Sequence, residues 1–137
     1  MIVSWPGTVK AGSKSDYVGA AWDLMPTFNE ITGVNNDVYT DGISFVQELY
    51  SKKQAIHDFL YWEFHEGGGR QAVRMDQWKA VRLNVIENSN APIELYDIKN
   101  DPGETKNIAK KFPNIVSAMR TVMEQEHVEN DDFPLIR

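Results

Sequence analysis

The sequence predicts an α+β fold in which a four-stranded antiparallel sheet packs on a C-terminal helix. Four short runs rich in aromatic and β-branched residues follow one another, with turn-forming residues between them, which is typical of an antiparallel meander. A stripe of apolar residues with helical spacing follows the last run. One such stripe is suited to packing on one face of the sheet.

The predicted strands are separated by short turns. Gly67-Gly68-Gly69 and Asp76-Gln77 supply residues that tolerate the backbone angles of tight turns. A longer polar segment connects the third strand to the fourth. The strands are predicted at residues 57–64, 71–75, 78–85 and 93–98.

The end of the sequence predicts two helices and an exposed tail. The first helix is predicted over residues 105–111, after a strong turn cluster. The second begins near Pro113, because proline is tolerated in the first helical turn. Its apolar stripe consists of Ile115, Met119, Val122 and Met123. Residues 131–134 are predicted to be an exposed extension.

The first third of the chain predicts two strands before its first helix. They cover residues 1–5, ended by Pro6-Gly7, and residues 18–22. Asp23 is suited to be the N-cap of the following helix, which Gly33 would end in a left-handed conformation.

Two further segments lie between that helix and the sheet. A loop is predicted over residues 35–41, and a short helix capped by Ser44 is predicted within residues 42–50. The change in pattern near residue 50 divides the chain into residues 1–52, a fragment of an α/β layer, and residues 53–137, the sheet with its helix.

Composition excludes several classes of function. The net charge is −6 and the basic residues are scattered, which argues against a nucleic-acid surface. Cysteine is absent, so disulfides, thiolate metal sites and a cysteine nucleophile are excluded. No run approaches the roughly 18 apolar residues of a membrane span. The first residues lack the pattern of a signal peptide, so any export signal is expected outside this segment.

The most suggestive polar group surrounds the predicted glycine turn. Glu63, His65 and Arg70 flank the three glycines at the end of an aromatic strand, where convergent polar side chains can form the rim of a pocket. They are the candidate substrate-binding residues. The competing interpretation is a hairpin in which the glycines only make the turn.

Other polar residues predict structural roles. His57 is expected at a strand boundary, and His127 is expected to face solvent after the last helix. Asp97, Asp101 and Glu104 lack the glycine and glutamate positions of an EF-hand calcium loop, so turn formation and capping explain them better. The sequence contains no Gly-x-Ser-x-Gly nucleophile motif and no phosphate-binding loop.

Five segments, read along the chain, form a recognisable set. They are Ile2-Val3-Ser4-Trp5-Pro6-Gly7; Asp23-Leu24-Met25-Pro26-Thr27; Asp41-Gly42-Ile43-Ser44; Tyr61-Trp62-Glu63 with Gln71-Ala72-Val73-Arg74; and Glu94-Leu95-Tyr96-Asp97-Ile98 with Asp101-Pro102-Gly103-Glu104. In order and spacing, this set resembles the C-terminal part of a sulfatase of the arylsulfatase type.

The resemblance implies an alkaline phosphatase-like parent enzyme that hydrolyses sulfate esters, with residues 1–52 as the strand–helix remnant of its large α/β domain. Such enzymes use a formylglycine made from Cys or Ser, a bound calcium ion, and Lys and His residues around the sulfate. The chain contains no Cys/Ser-x-Pro-x-Arg sequence. No residue is therefore assigned as catalytic or as a metal ligand.

The resemblance also implies partners and a location. The partners are the N-terminal catalytic domain of the same protein and a small-molecule or glycan sulfate ester, and the parent is expected in the periplasm or outside the cell. Loss of the large domain would leave apolar residues exposed, among them Ile2, Trp5, Phe28 and Ile31. Two alternatives stay open: a stand-alone, non-catalytic binding module derived from a sulfatase, and a sister hydrolase acting on phosphate esters.

Overall fold

A computed structural model describes residues 1–34 and 39–135 and divides the chain into two compact units, Met1–His57 and Asp58–Arg137. The second unit is an α+β arrangement of four strands and a long helix, as predicted. The assignment of residues 1–52 to a larger α/β domain stays a prediction. Among the described residues, no helix is long and apolar enough to cross a membrane.

The sheet of the second unit is the predicted antiparallel meander. Its strands are β1 (Leu60–Phe64), β2 (Arg70–Met75), β3 (Trp78–Leu83) and β4 (Ile93–Asp97), hydrogen-bonded in chain order. Each neighbouring pair is antiparallel. The two-residue loop between β2 and β3 places Asp76 at a φ of 50°, a left-handed angle that aspartate tolerates better than most residues.

The core of this unit lies between the sheet and the helix α3, which spans Pro113–Glu126 and begins at the predicted proline. The register aligns Val73, Ala80 and Leu95 across three strands, and all three side chains are fully buried. Met119 and Met123 of the predicted stripe pack against them and are also fully buried. Burial of a side chain of this size contributes about 1.5–3 kcal/mol, which makes the stripe the main attachment of α3 to the sheet.

The predicted helix over residues 105–111 is wrong. Only Ala109–Lys111 is helical, as one short 3-10 turn. Side-chain and backbone bonds to β4 replace the helical pattern, because Asn107 Oδ1 accepts the N–H groups of Leu95 (3.2 Å) and Ala109 (3.0 Å). The backbone N–H of Ile108 also donates to the carbonyl of Leu95 at 2.9 Å. The segment therefore runs along β4.

The predicted exposed extension over residues 131–134 is followed by a buried leucine. Asp131, Asp132 and Phe133 are exposed, but Leu135 is 2% exposed. A Cβ added at Gly69 would lie 3.1 Å from Leu135 Cδ1, so the leucine side chain packs against this glycine. A single buried leucine thus attaches the tail to the loop between β1 and β2.

The two helices of the first unit agree with the prediction. Helix α1 spans Leu24–Thr32 and ends at Gly33, whose φ of 69° is left-handed and whose N–H donates to the carbonyl of Asn29. Helix α2 is the short segment Val46–Leu49, and the Ser44 hydroxyl accepts the N–H of Val46 at 3.3 Å.

The two strands predicted before α1 are wrong. The carbonyl of Trp5 accepts the N–H groups of Thr8 and Val9, which makes a turn, and Ala21–Asp23 forms a 3-10 turn. Among the described residues of this unit none is in a strand, so an extended segment here has no neighbour to pair with. Of the loop predicted over residues 35–41, residues 35–38 lie outside the described residues.

Candidate functional site

The loop between β1 and β2 forms the end of the sheet on which the predicted site residues lie. Gly67, Gly68 and Gly69 all have positive φ, which only glycine adopts without strain. Backbone bonds fix the loop to the chain after β3, since the N–H of Val85 donates to Gly69 (3.3 Å) and that of Ile86 to Gly68 (3.1 Å). The glycines thus hold one defined conformation.

His65 and Arg70 lie at the two ends of this loop, and both are exposed. The ring centroid of His65 lies 5.0 Å from that of Phe133 and 6.2 Å from that of Phe64. Arg70 pairs directly with Phe64, so their side chains share one face of the sheet. A Cβ at Gly67 would lie 3.0 Å from Arg70 Nη2, which places the guanidinium over the loop. The structure brings these two predicted residues to one end of the hairpin.

Glu63 points to the opposite face of the sheet from Phe64 and is already engaged. Its Oε1 accepts the hydroxyl of Tyr61 and lies 2.6 Å from His127 Nδ1. The side chains of Glu63 and His127 are only 25% and 16% exposed, so His127 does not face solvent as predicted. A substrate-binding role for Glu63 stays a prediction and would require its other carboxylate oxygen.

A buried polar network extends from Glu63 across the sheet beneath α3. Gln71 Nε2 donates to the Tyr61 hydroxyl at 2.8 Å, and Gln71 Oε1 accepts from Arg82 Nη1 at 3.2 Å. Arg82 Nη1 also donates to the carbonyl of Ser89 at 3.2 Å. Gln71 and Arg82 are 1% and 3% exposed.

The environment of this network shifts two ionisation equilibria. Burial, followed by the hydrogen bond to Glu63, raises the pKa of Tyr61, and burial lowers the pKa of Arg82. A neutral phenol that donates to a carboxylate, and a buried arginine whose Nη1 has two internal acceptors, are suited to holding strands together. The signal for this network was the position of Gln71 and Arg82 on the apolar side of their strands, which sequence reasoning did not use.

A second polar cluster, in the first unit, centres on Asp23, whose carboxylate does not cap α1 as predicted. Its Oδ2 accepts the N–H of Ala20 at 2.8 Å and its Oδ1 accepts that of Ile43 at 2.9 Å. His57 Nε2 lies 2.8 Å from the same Oδ1. The Asp23 side chain is fully buried. The pKa of Tyr17 is raised, mainly because Tyr17 itself is partly buried and secondly because the negative charge of Asp23 is near.

Thr27 completes this cluster one helical turn later. Its hydroxyl donates to the carbonyl of Asp23 at 2.6 Å and accepts the N–H of Phe45 at 3.0 Å. The residues of the Asp-x-x-Pro-Thr segment therefore fix the chain that leads into α2. Their hydrogen bonds hold neighbouring backbone segments together, which is a structural role.

The residues that the structure describes do not fit a catalytic metal centre. Within residues 1–34 and 39–135, no three or more His, Asp or Glu side chains are grouped so that they could hold a metal ion. Two of the predicted turn acids have partners. Asp101 accepts the hydroxyl of Thr105 and the N–H of Lys106 within the turn, and Glu104 lies 2.5 Å from Nζ of Lys79 in β3. The sequence also lacks the formylglycine precursor motif. No catalytic step is therefore assigned to calcium or formylglycine in this chain.

Comparison with known proteins identifies the arrangement. The family model described as N-sulphoglucosamine sulphohydrolase, C-terminal, matches residues 1–129. The chain belongs to the sulfatase family. The resemblance set out from the sequence is confirmed, as is the α+β fold, since the structural neighbours are sulfatases.

Curated sulfatases cover most of the chain. Delta 4,5-hexuronate-2-O-sulfatase of Bacteroides thetaiotaomicron is 31% identical over 119 residues, which is 80% of this chain and 24% of the relative. Arylsulfatase K of Bos taurus is 25% identical over 129 residues, which is 87% of this chain and 23% of the relative. The chain thus spans about a quarter of the length of these sulfatases.

Solved structures share the fold. The structure of Ps i-CgsB matches with a TM-score of 0.71 at 30% identity, and the match covers 88% of this chain and 27% of the Ps i-CgsB chain. A 2-O GAG sulfatase matches with a TM-score of 0.64 at 31% identity, and the match covers 75% of this chain and 23% of the sulfatase chain.

Proposed function

We propose that this chain is the C-terminal portion of a sulfatase that hydrolyses sulfate esters of carbohydrate. In this proposal it supports the fold and shapes the substrate pocket, while the N-terminal catalytic domain of the same protein carries out the chemistry. The observation that carries the proposal is the family match over residues 1–129 in a chain whose sequence lacks the formylglycine motif. Calcium and formylglycine belong to the catalytic domain in this account.

Carbohydrate is favoured as the substrate class by the names of the relatives. They include a hexuronate 2-O-sulfatase and an N-acetylglucosamine-6-O-sulfatase. His65 and Arg70 are suited to this role because both are exposed donors, and arginine can bind a planar or tetrahedral oxyanion with two parallel hydrogen bonds. A periplasmic or extracellular location is proposed with the same function.

Apolar residues of the first unit support a catalytic domain as partner. Ile2, Phe28 and Ile31 are 98%, 58% and 37% exposed, as expected for residues that a larger domain covers. Trp5 is half-buried. Exposed apolar surface is what a protein interface covers when the partner is present.

An activity assay tests the proposal. The full-length protein should release sulfate from sulfated sugars, and the 137-residue chain alone should not. Hydrolysis of phosphate esters without hydrolysis of sulfate esters would instead favour the sister hydrolase. A full-length protein without hydrolytic activity would favour the non-catalytic binding module.

Substitutions in the full-length protein test the contribution of the hairpin. His65→Ala and Arg70→Ala should lower kcat/KM for sulfated sugars. They should have little effect on kcat/KM for a small aryl sulfate, because that substrate has no sugar ring to contact the hairpin. Lys99→Ala is the control, because Lys99 is an exposed cation elsewhere in the same unit. Unchanged kcat/KM across sulfated sugars would remove the hairpin from the substrate pocket.

A further inference from the structure

Three aromatic rings meet at the exposed end of the sheet. Phe64 is 51% exposed and Phe133 is 57% exposed, and the exposed His65 contacts both at ring-centroid distances of 6.2 and 5.0 Å. We call these three residues the aromatic platform. Two half-exposed phenyl rings beside an imidazole leave a large apolar area in contact with water, and such areas often mark ligand-binding surfaces.

The platform is held in place from two sides. On one side, the glycine loop is hydrogen-bonded to the chain after β3. On the other, Leu135 is 2% exposed and fixes the tail two residues after Phe133. The Asn130 side chain also accepts the N–H of Phe133 at 3.2 Å. A surface fixed in this way loses little conformational entropy when a ligand binds.

Polar groups border the platform and define its ligand. Arg70 shares the face of Phe64, with its guanidinium over Gly67. Exposed carboxylates adjoin the rings in sequence, Glu66 after His65 and Asp132 before Phe133. A wholly apolar partner would remove water from these charged groups without offering them hydrogen bonds, which costs free energy. A polyanion would meet the carboxylates and be repelled.

We propose that the aromatic platform binds the apolar face of a pyranose ring and that a sulfate group other than the one being hydrolysed contacts Arg70. The C–H groups of a sugar face carry partial positive charge and pack against the negative faces of aromatic rings. Sugar hydroxyls supply donors for the bordering carboxylates, and one sulfate provides the anion for the guanidinium. This inference rests on the proposed function and names the part of the substrate that this unit holds.

Saturation-transfer NMR on the 137-residue chain tests the proposal with three probes: N-acetylglucosamine 6-sulfate, N-acetylglucosamine and inorganic sulfate. Both sugars should receive saturation at their ring protons, the sulfated one at lower concentration, and inorganic sulfate should compete only weakly. Phe133→Leu should weaken binding of both sugars roughly fivefold, because it keeps apolar area but removes the ring face. Phe28→Leu is the matched control, since Phe28 is 58% exposed in the other unit.

Arg70→Gln separates the two parts of the site. It should abolish the preference for the sulfated sugar while binding of the neutral sugar is retained, and Lys99→Gln should change neither. Amide spectra of each variant report whether it is folded. Equal binding by wild type and Phe133→Leu, or no saturation of either sugar, overturns the proposal. Such a failure leaves sulfate release by the full-length protein unaffected, so it is distinguishable from failure of the sulfatase assignment.

Discussion

Asp23 and His57 lie 34 positions apart in the sequence and meet at 2.8 Å between Oδ1 and Nε2, with the aspartate side chain fully buried. The same carboxylate accepts the backbone N–H groups of Ala20 and Ile43. One side chain therefore joins the start of α1, the segment before α2 and the end of the first unit. A buried acceptor that satisfies several donors is costly to replace.

Asp23→Asn should lower the free energy of unfolding of the first unit by about 2–3 kcal/mol, because an amide nitrogen would face backbone N–H groups that now have an acceptor. Asp16→Asn is the control with the same change of charge at an exposed position. Urea unfolding followed by circular dichroism measures both. Equal stability of the two variants would contradict the assigned role of Asp23.

The glycine loop offers a matched pair of substitutions. Gly67 and Gly69 both have left-handed φ, at 62° and 78°, so alanine at either position costs about 1–2 kcal/mol in backbone strain. A Cβ at Gly69 would also lie 2.8 Å from side-chain carbons of Val85 and Ile86, whereas one at Gly67 meets only the flexible end of Arg70. Gly69→Ala should therefore be more destabilising than Gly67→Ala by about 1–3 kcal/mol, measured by urea unfolding. Equal losses would mean that the loop does not pack as described.

The Gln71–Arg82 pair is best tested by a double-mutant cycle. Gln71→Leu leaves Arg82 without its side-chain acceptor and should cost about 2–4 kcal/mol. Arg82→Met removes the buried charge, and the double variant should lose less than the sum of the single losses. Additive losses in urea unfolding would show that the two side chains are energetically independent.

Asp101 predicts a dependence of stability on pH. Hydrogen bonds from the backbone N–H groups of Thr105 and Lys106 lower the pKa of Asp101 below its ordinary value of 3.8. A carboxyl whose pKa is lower in the folded state contributes stability above its unfolded pKa and loses it as the pH falls through the folded pKa.

Asp101→Asn should therefore be less stable than wild type at pH 7, and the two should converge as the pH falls below 3.8. Urea midpoints measured from pH 7 downward report this difference. A constant difference across the range would assign the effect of the substitution to something other than ionisation.

The meander and α3 could be predicted from the sequence because their signals are local. Turn residues at positions 67–69 and 76–77 separate the strands, and Met119 and Met123 carry the helical spacing. The segment over residues 105–111 was mispredicted because its apolar spacing suits a helix, while the deciding bonds run from Asn107 and Ile108 to Leu95 in a distant strand. Local sequence patterns do not reveal hydrogen bonds to another strand that replace those of a helix.

The candidate site was predictable in part for the same reason. His65 and Arg70 flank a glycine turn in the sequence and lie at one end of the hairpin in the structure. Phe133 approaches His65 only because Leu135 is buried beside the loop, and the Asp23–His57 pair joins two segments whose meeting no local pattern reveals. Contacts between distant segments are the part of the site that composition and spacing do not determine.

The size of the protein in its source cells tests the central claim most directly. An immunoblot with antibody raised against these 137 residues should show a band several times larger than 15.6 kDa, the mass of this chain, because the sulfatase account places it within a longer enzyme. A band at 15.6 kDa would contradict that account and assign the chain to a free-standing module.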